Sequence, residues 1–544
     1  MSKNDNTKKQ SKLIISSLDR HVKNIEENKY SKTPPEPIDK PLNLQFSKGL
    51  QHDKYGNVDV VEFQKLITAI ETNDIKLLND VKLAGELKLV TPSNVATVEL
   101  FCPFKNEITQ SKVLDKTPSV ESDEAGTEMI SLYHLSLLRD VPYTEWNLKN
   151  KLVRRAIKDL TGVSNRETGP ITAENLFRYP TASRNIGPYV SQFLLHTVPY
   201  GSGNIIQKYK SPAAGKDYVT TIKNYLSLQN GTVLEKEVPT SIYRYIITPR
   251  DGIEYVHNDP PFQATYNAAL ILIGRKAPWN PLNPFFNGKI QNETNFIDLG
   301  LLDLTELISR TIRVSLLSSW YYKFFSRRLR PENMGYLIQL ALQDNKSRGK
   351  FKDFPKLSNV ILKSRVLERI YKKQKSYLLS QAYPEGCPLH PSANSGHAVF
   401  AWAGVTILKA FFDTSFQLDN IVVPTADGSS LDLYKDEKYT LTVEDELNKL
   451  AFNIGNWRQV AGIHYFSDSE NGANLGEAVA ISILEDAVKR YPYAAGYQLT
   501  KRNGKTILIS NFDQKPVIKT PLKLHSGNQI KRSRKSKGNC QKPQ

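Results

Sequence analysis

The chain has 544 residues, 40% of them hydrophobic and 24% charged, with a formal net charge of +18. That balance allows a large buried core and excludes a chain that stays unfolded for want of apolar residues. Three scattered cysteines, Cys102, Cys387 and Cys540, exclude a disulfide framework and a cysteine zinc site, and no apolar run reaches the roughly 18 to 20 residues that span a bilayer.

The opening MSKNDNTKKQSKLIISS lacks an apolar stretch of signal-peptide length, which points to a cytoplasmic, reducing compartment. Residues 1–59 are polar and proline-dotted (KTPPEPIDKP), the composition of an arm, so order is expected to begin near Val60. From there VVEFQKLITAIE, EMISLYHLSLLRDV, QATYNAALILIG, LLDLTELISRTIRVSLLSSWYYKFF, AVFAWAGVTILKAFF and NLGEAVAISILEDAVKRY repeat apolar residues every three or four positions, which predicts helices. Strand-like stretches are few and short, such as TSIYRYIIT and KTILISNF. Neither repeats nor low-complexity linkers divide residues 60–515, so the reading is one large all-α domain, a helical bundle with long loops. Residues 516–544 end in KRSRKSKGNCQKPQ, a basic, disordered tail; it has no interleaved aromatics, so it reads as a solvated end without specific nucleic-acid binding.

Three segments carry the chemistry. In HPSANSGH, Ser395, Gly396 and His397 stand just before an apolar helix, at a turn whose free N–H groups and dipole favour an anion. Alone, Ser395 reads as a helix cap. In WYYKFFSRRLRPENMG, Lys323 and Arg330 lie two helical turns apart, so both can project from one face, with Pro331 marking the helix end and Arg327 and Arg328 on a solvated basic face. In NWRQVAGIHYFSDSENGANLGE, Arg458 and His464 would stand about 240° apart on an unbroken helix. They share a site only if the helix breaks, which Gly462 allows. Asp468 can accept a hydrogen bond from one nitrogen of His464 and so fix the other toward the site. Together the set suits a compact tetrahedral oxyanion.

These segments resemble the vanadium-dependent haloperoxidases and the related type 2 phosphatidic-acid-phosphatase-like acid phosphatases. EMISLYHLSLLRDVPYTEW, NLFRYPTASRNIGPYVSQFLL, YIITPRDGIEYVHNDPPFQATYNAALIL and GIHYFSDSENGANLGE extend the resemblance to the algal and bacterial bromoperoxidase branch, over roughly residues 125 to 485. The chain departs from the family pattern at Asn394, where a proline is usual, and at Trp457, where the phosphatases have serine.

The resemblance implies an all-α fold with two four-helix bundles and a vanadate cofactor. His464 would ligate vanadium with Asp468 as its orienting partner, while Lys323, Arg330, Arg458, Ser395 and the Gly396 N–H would bind the oxyanion. His397 would move protons, and Lys323 would polarise activated peroxide. His390 and Trp320 match positions that tune halide choice, and His390 favours bromide, with iodide easier still. The implied partners are hydrogen peroxide, halide and an organic acceptor, in a homo-oligomer of two or more chains. The alternative is an acid phosphatase with His464 as phosphohistidine nucleophile.

Overall fold

A computed structural model describes residues 34–95, 113–163, 170–178, 186–210, 212–238, 242–435 and 440–512. The chain divides into two units, Met1–Phe512 and Asp513–Gln544; the second, with the basic tail expected from residue 516, lies outside the described residues, as do residues 1–33.

Helices dominate, and the short strands among the described residues form only two-stranded antiparallel pairs. The elements that matter here are α1 (Val60–Thr72), α2 (Asp123–Leu138), α3 (Pro249–Asn258), α4 (Gln263–Gly274), α5 (Leu301–Ser326), α6 (Pro331–Gln343), α7 (Gly396–Phe411), α8 (Val443–Val460) and α9 (Phe466–Val488). The six apolar-periodic stretches fall on α1, α2, α4, α5, α7 and α9. KTILISNF pairs as Thr506–Ser510 with Gly496–Thr500, whereas TSIYRYIIT contributes only Tyr243–Arg244.

The core of this architecture is α7, apolar on all sides and enclosed by α5, α8 and α9. Val399, Val405, Leu450, Ile454, Leu475 and Val479 are fully buried between these helices, and burial of each such side chain stabilises by about 1.5–3 kcal/mol. Gly472 and Gly476, one turn apart on α9, let its backbone lie directly on α7. A Cβ at Gly476 would stand 2.2 Å from the Val399 carbonyl oxygen and one at Gly472 2.7 Å from that of Ser395. This close approach sets the start of α7 beside the start of α9.

The expectation that residues up to 59 form an arm is corrected for 34–59. Leu44, Phe46, Leu50 and Val58 are buried, and the Phe46 N–H donates to the Arg327 carbonyl at 2.9 Å. The polar residues have fixed partners: buried Lys48 donates to Glu332 Oε1 at 2.9 Å and to the carbonyls of Glu385 and Cys387 at 2.8 and 2.7 Å. Composition misreads this segment because its acidic partner lies far along the chain, on α6.

Candidate active site

Lys323 and Arg330 converge, but not from one helix face. Helix α5 ends at Ser326; Arg327 takes the left-handed conformation (φ 46°), and its N–H closes the helix on the Lys323 carbonyl at 2.9 Å. Arg330 then caps the start of α6, and Pro331 occupies the first turn of that helix, where its missing N–H costs nothing. Pro331 therefore opens a second helix rather than marking the end of the first. Lys323 Nζ donates to the carbonyls of Pro391 and Ser392, both at 3.0 Å. Arg330 donates through Nε to the His390 carbonyl at 2.9 Å and through Nη1 to the Ile463 carbonyl at 2.8 Å.

The break between Arg458 and His464 is present. Helix α8 stops at Val460, Gly462 adopts φ +87°, and α9 begins at Phe466. A Cβ at Gly462 would meet the Ser380 carbonyl at 3.0 Å besides straining the backbone. At the start of α9, Asp468 Oδ2 accepts the Tyr465 N–H at 3.0 Å, the His464 Nδ1 hydrogen at 3.0 Å and the Ser392 hydroxyl at 2.5 Å. A carboxylate can only accept, so Nδ1 of His464 carries the proton and Nε2 presents a lone pair. That lone pair receives Arg330 Nη1 at 3.0 Å.

Ser395 caps α7, accepting the Ala398 N–H at 3.5 Å, and its own N–H donates to the Asp468 carbonyl at 2.8 Å. The cap leaves its hydroxyl hydrogen as a donor, so capping and oxyanion binding are compatible. Asn394 accepts the Ser319 hydroxyl at 2.7 Å, which ties down the loop where the family has proline. Trp457 is fully buried and donates to the Tyr143 hydroxyl at 2.8 Å.

Arg458 reaches back to the Val256 carbonyl at 2.7 Å and the Tyr383 hydroxyl at 3.2 Å, and its buried Nε has no hydrogen-bond partner among the described residues. His397 pairs with Asp259, Nε2 to Oδ1 at 2.9 Å, and is joined to the cation cluster through the field of Arg458 rather than by a hydrogen bond. His390 receives Arg330 Nη2 at Nδ1, 3.0 Å away, and its ring lies 4.8 Å from that of Trp320. Trp320 donates to the Val90 carbonyl at 2.9 Å and lies 5.8 Å beneath Lys323 Nζ.

The electrostatics follow from burial. Loss of water and the charges of Arg330 and Arg458 push Lys323 well below the usual lysine range, against the opposing pull of Asp468. Burial and Arg330 push His464 well below the usual histidine range, and burial with Lys323, Arg330 and His464 does the same to His390. Both imidazoles are therefore neutral near pH 7. Burial lowers His397 too, opposed by Asp259 and reinforced by Arg458. An oxyanion would offset the burial and like-charge repulsion that lower Lys323 and supply an acceptor to Arg458 Nε. The residues present fit vanadate on that ground: three cationic donors, a neutral imidazole lone pair and an unpartnered guanidinium N–H.

Two residues with evident work in the site escaped the sequence reading. Arg328, expected on a solvated face, is buried; it donates to Asp468 Oδ1 at 2.6 Å, Ser467 Oγ at 2.8 Å and Glu128 Oε2 at 3.0 Å. Its charge, with the hydrogen bonds of His464 and Ser392, holds Asp468 ionised although burial opposes it. Arg327 is corrected likewise, being buried with Nε donating to Gln45 at 2.8 Å. The second, Asp259, follows the end of α3 in HNDPP; an acid followed by two prolines at a helix end was the only available signal.

The fold and site define a class: helical-bundle proteins that gather cationic side chains and a neutral imidazole around a tetrahedral oxyanion. Residues 371–491 match the family model described as the VCPO second helical-bundle domain. The vanadium-dependent bromoperoxidase of Corallina officinalis is 32% identical over 568 aligned residues, covering 89% of this chain and 94% of that protein. That of Ascophyllum nodosum is 28% identical over 494, covering 86% of each. A solved homohexameric structure, the second vanadate-dependent bromoperoxidase of Ascophyllum nodosum, superposes with a TM-score of 0.82 at 24% identity, over 91% of this chain and 90% of that one. The chain belongs to the vanadium-dependent haloperoxidase family.

Proposed function

We propose that this protein oxidises bromide with hydrogen peroxide on a vanadate held by Lys323, Arg330, Arg458, Ser395, the Gly396 N–H and His464, releasing hypobromous acid to organic acceptors. The observation that carries the assignment is His464: Asp468 takes its Nδ1 hydrogen at 3.0 Å, and burial with Arg330 keeps the ring neutral, so Nε2 is a ready ligand for a Lewis acid. Vanadate bound there supplies a Lewis-acidic centre that activates peroxide without haem.

The chain's own residues do the rest. Lys323, locked between two carbonyls, can donate its remaining N–H to a peroxide oxygen and draw electron density from it as halide attacks. His397, oriented by Asp259, takes and returns the protons of peroxide and of the departing hydroxide. His390 and Trp320 adjoin Lys323 and Arg330, which supports their setting halide preference toward bromide, with iodide accepted. Phe286, Phe296, Ile297 and Leu302, close together in the chain, are exposed apolar side chains, which supports a homo-oligomer.

The test is to incubate the protein with orthovanadate, peroxide and bromide and follow bromination of a phenolic dye from acid to neutral pH. Vanadate-dependent bromination abolished by His464→Ala is expected. Its absence at every pH, with phosphate-ester hydrolysis blocked by vanadate, would select the phosphatase instead.

A further inference from the structure

Beside the oxyanion site, whose Arg458 donates to the Val256 carbonyl and the Tyr383 hydroxyl, α3 carries Glu254 and His257 three residues apart, hence on one helix face, and the loop bearing Glu237 folds over them. One carboxylate oxygen from each glutamate and one imidazole nitrogen lie within 4.8 Å of one another. The histidine is held as a metal-binding histidine is held. Its Nε2 bonds Glu385 Oε1 at 2.7 Å, its ring stacks on Tyr383 at 3.8 Å, and Tyr383 is itself fixed by donating to the Ile253 carbonyl at 2.9 Å. A carboxylate on Nε2 places the hydrogen there and leaves Nδ1 as a lone pair, the arrangement in which ligating imidazoles donate their other N–H to an acid.

That lone pair is buried and has no hydrogen-bond partner among the described residues; it faces Glu254 Oε2 at 4.0 Å. Two acceptors facing each other across such a gap call for a positive group between them. Glu237 forms no hydrogen bond or ion pair among the described residues, which leaves its carboxylate available beside the other two groups. Both glutamates also line a surface cleft with Lys216, Tyr218 and Tyr383, which gives an ion a way in.

We infer that Glu237, Glu254 and His257 form a divalent-metal site of the zinc class, with Glu385 orienting His257. One imidazole and two carboxylates suit zinc, whereas calcium prefers six to eight oxygen ligands. Around a tetrahedral zinc with bonds of about 2.0–2.2 Å, ligand atoms stand roughly 3.3–3.5 Å apart, so closing the present spacing by about an ångström completes the site. The inference does not depend on the vanadate reading.

The experiment titrates zinc chloride into full-length, vanadate-loaded protein freed of divalent ions, by calorimetry, and repeats it with Glu237→Gln, Glu254→Gln and Glu385→Gln. Expected is one zinc per chain in the wild type, with affinity about 10- to 100-fold weaker in each variant, and a cobalt(II) absorption band that Glu254→Gln removes. Glu237 is exposed, so Glu237→Gln tests the site without threatening the fold. No stoichiometric zinc binding, binding unchanged in Glu237→Gln and Glu254→Gln, or binding of calcium in place of zinc would each overturn the assignment.

Discussion

Replacing Arg328 with methionine separates a surface arginine from a buried clamp. On a solvated face the change would alter stability by no more than about 0.5 kcal/mol. In the structure the guanidinium holds two buried carboxylates, Asp468 at 2.6 Å and Glu128 at 3.0 Å, and lies 4.0 Å over the Tyr465 ring. Removing one partner of a buried pair costs about 3–5 kcal/mol, because a charge is left without compensation. Of the two acids, Glu128 is already pushed up by burial and yields by taking a proton, while Asp468 is held ionised by His464 and Ser392 as well as by Arg328. The expected loss is therefore about 3–5 kcal/mol rather than twice that. It should be largest at neutral pH and shrink as acid protonates the orphaned carboxylates. Since Asp468 orients His464, vanadate should bind about 10- to 100-fold more weakly. Urea midpoints at several pH values and vanadate reconstitution titrations read the two effects separately. Arg328→Lys should recover only part of each, as an ammonium lacks the planar fork that reaches Ser467, Asp468 and Glu128 together. A midpoint shift below the surface-arginine limit and vanadate affinity within twofold of wild type would refute this reasoning.

Asp259→Asn removes the charge that raises the His397 pKa, so the limb of the bromination pH profile governed by that group should move to lower pH; an unmoved profile with altered rate would contradict the pairing. Lys48→Met leaves Glu332 buried without its cation and should cost about 3–5 kcal/mol by chemical denaturation, whereas a free arm at residues 34–59 would show no change. Burial lowers His52 from 6.5 to about 4, so the unfolded chain binds a proton there that the native protein does not; its stabilisation is present above pH 6.5 and about 3 kcal/mol of it is lost as the pH falls to 4. Comparing the pH dependence of unfolding in wild type and His52→Gln checks this, and equal slopes between pH 4 and 6.5 would contradict it.

Helices were legible because their signal is local: a three-to-four-residue apolar period on α5, α7 and α9 needs no knowledge of the partner. The helix break between Arg458 and His464 was legible for a related reason, since Gly462 stands where only a left-handed residue closes the turn. Lys323 and Arg330 were paired correctly in space through the wrong geometry. The left-handed residue that ends α5 is Arg327, which carries no glycine signal, so a helix–turn–helix read as one continuous helix. Arg328, Asp259 and Lys48 were not legible as buried residues at all. Their partners lie 140, 138 and 284 positions away, at Asp468, His397 and Glu332, and an ion pair at that separation leaves no periodic trace in either segment.

What distinguishes the oxyanion site from the rest of the interior is the kind of partner its cations have. Elsewhere buried cations meet carboxylates: Lys48 with Glu332, Lys449 with Glu446, Arg139 with Asp217. In the site they meet carbonyls: Lys323 those of Pro391 and Ser392, Arg330 those of His390 and Ile463, Arg458 that of Val256. A carbonyl satisfies an N–H and fixes its direction while leaving the net charge in place. A carboxylate would do the same and cancel the charge. Asp468, a carboxylate close by, is turned toward Arg328, Ser392 and His464, where it sets a tautomer instead of neutralising the cluster. The three cations are thus positioned and still uncompensated, an arrangement that favours folding only weakly and favours a bound oxyanion strongly.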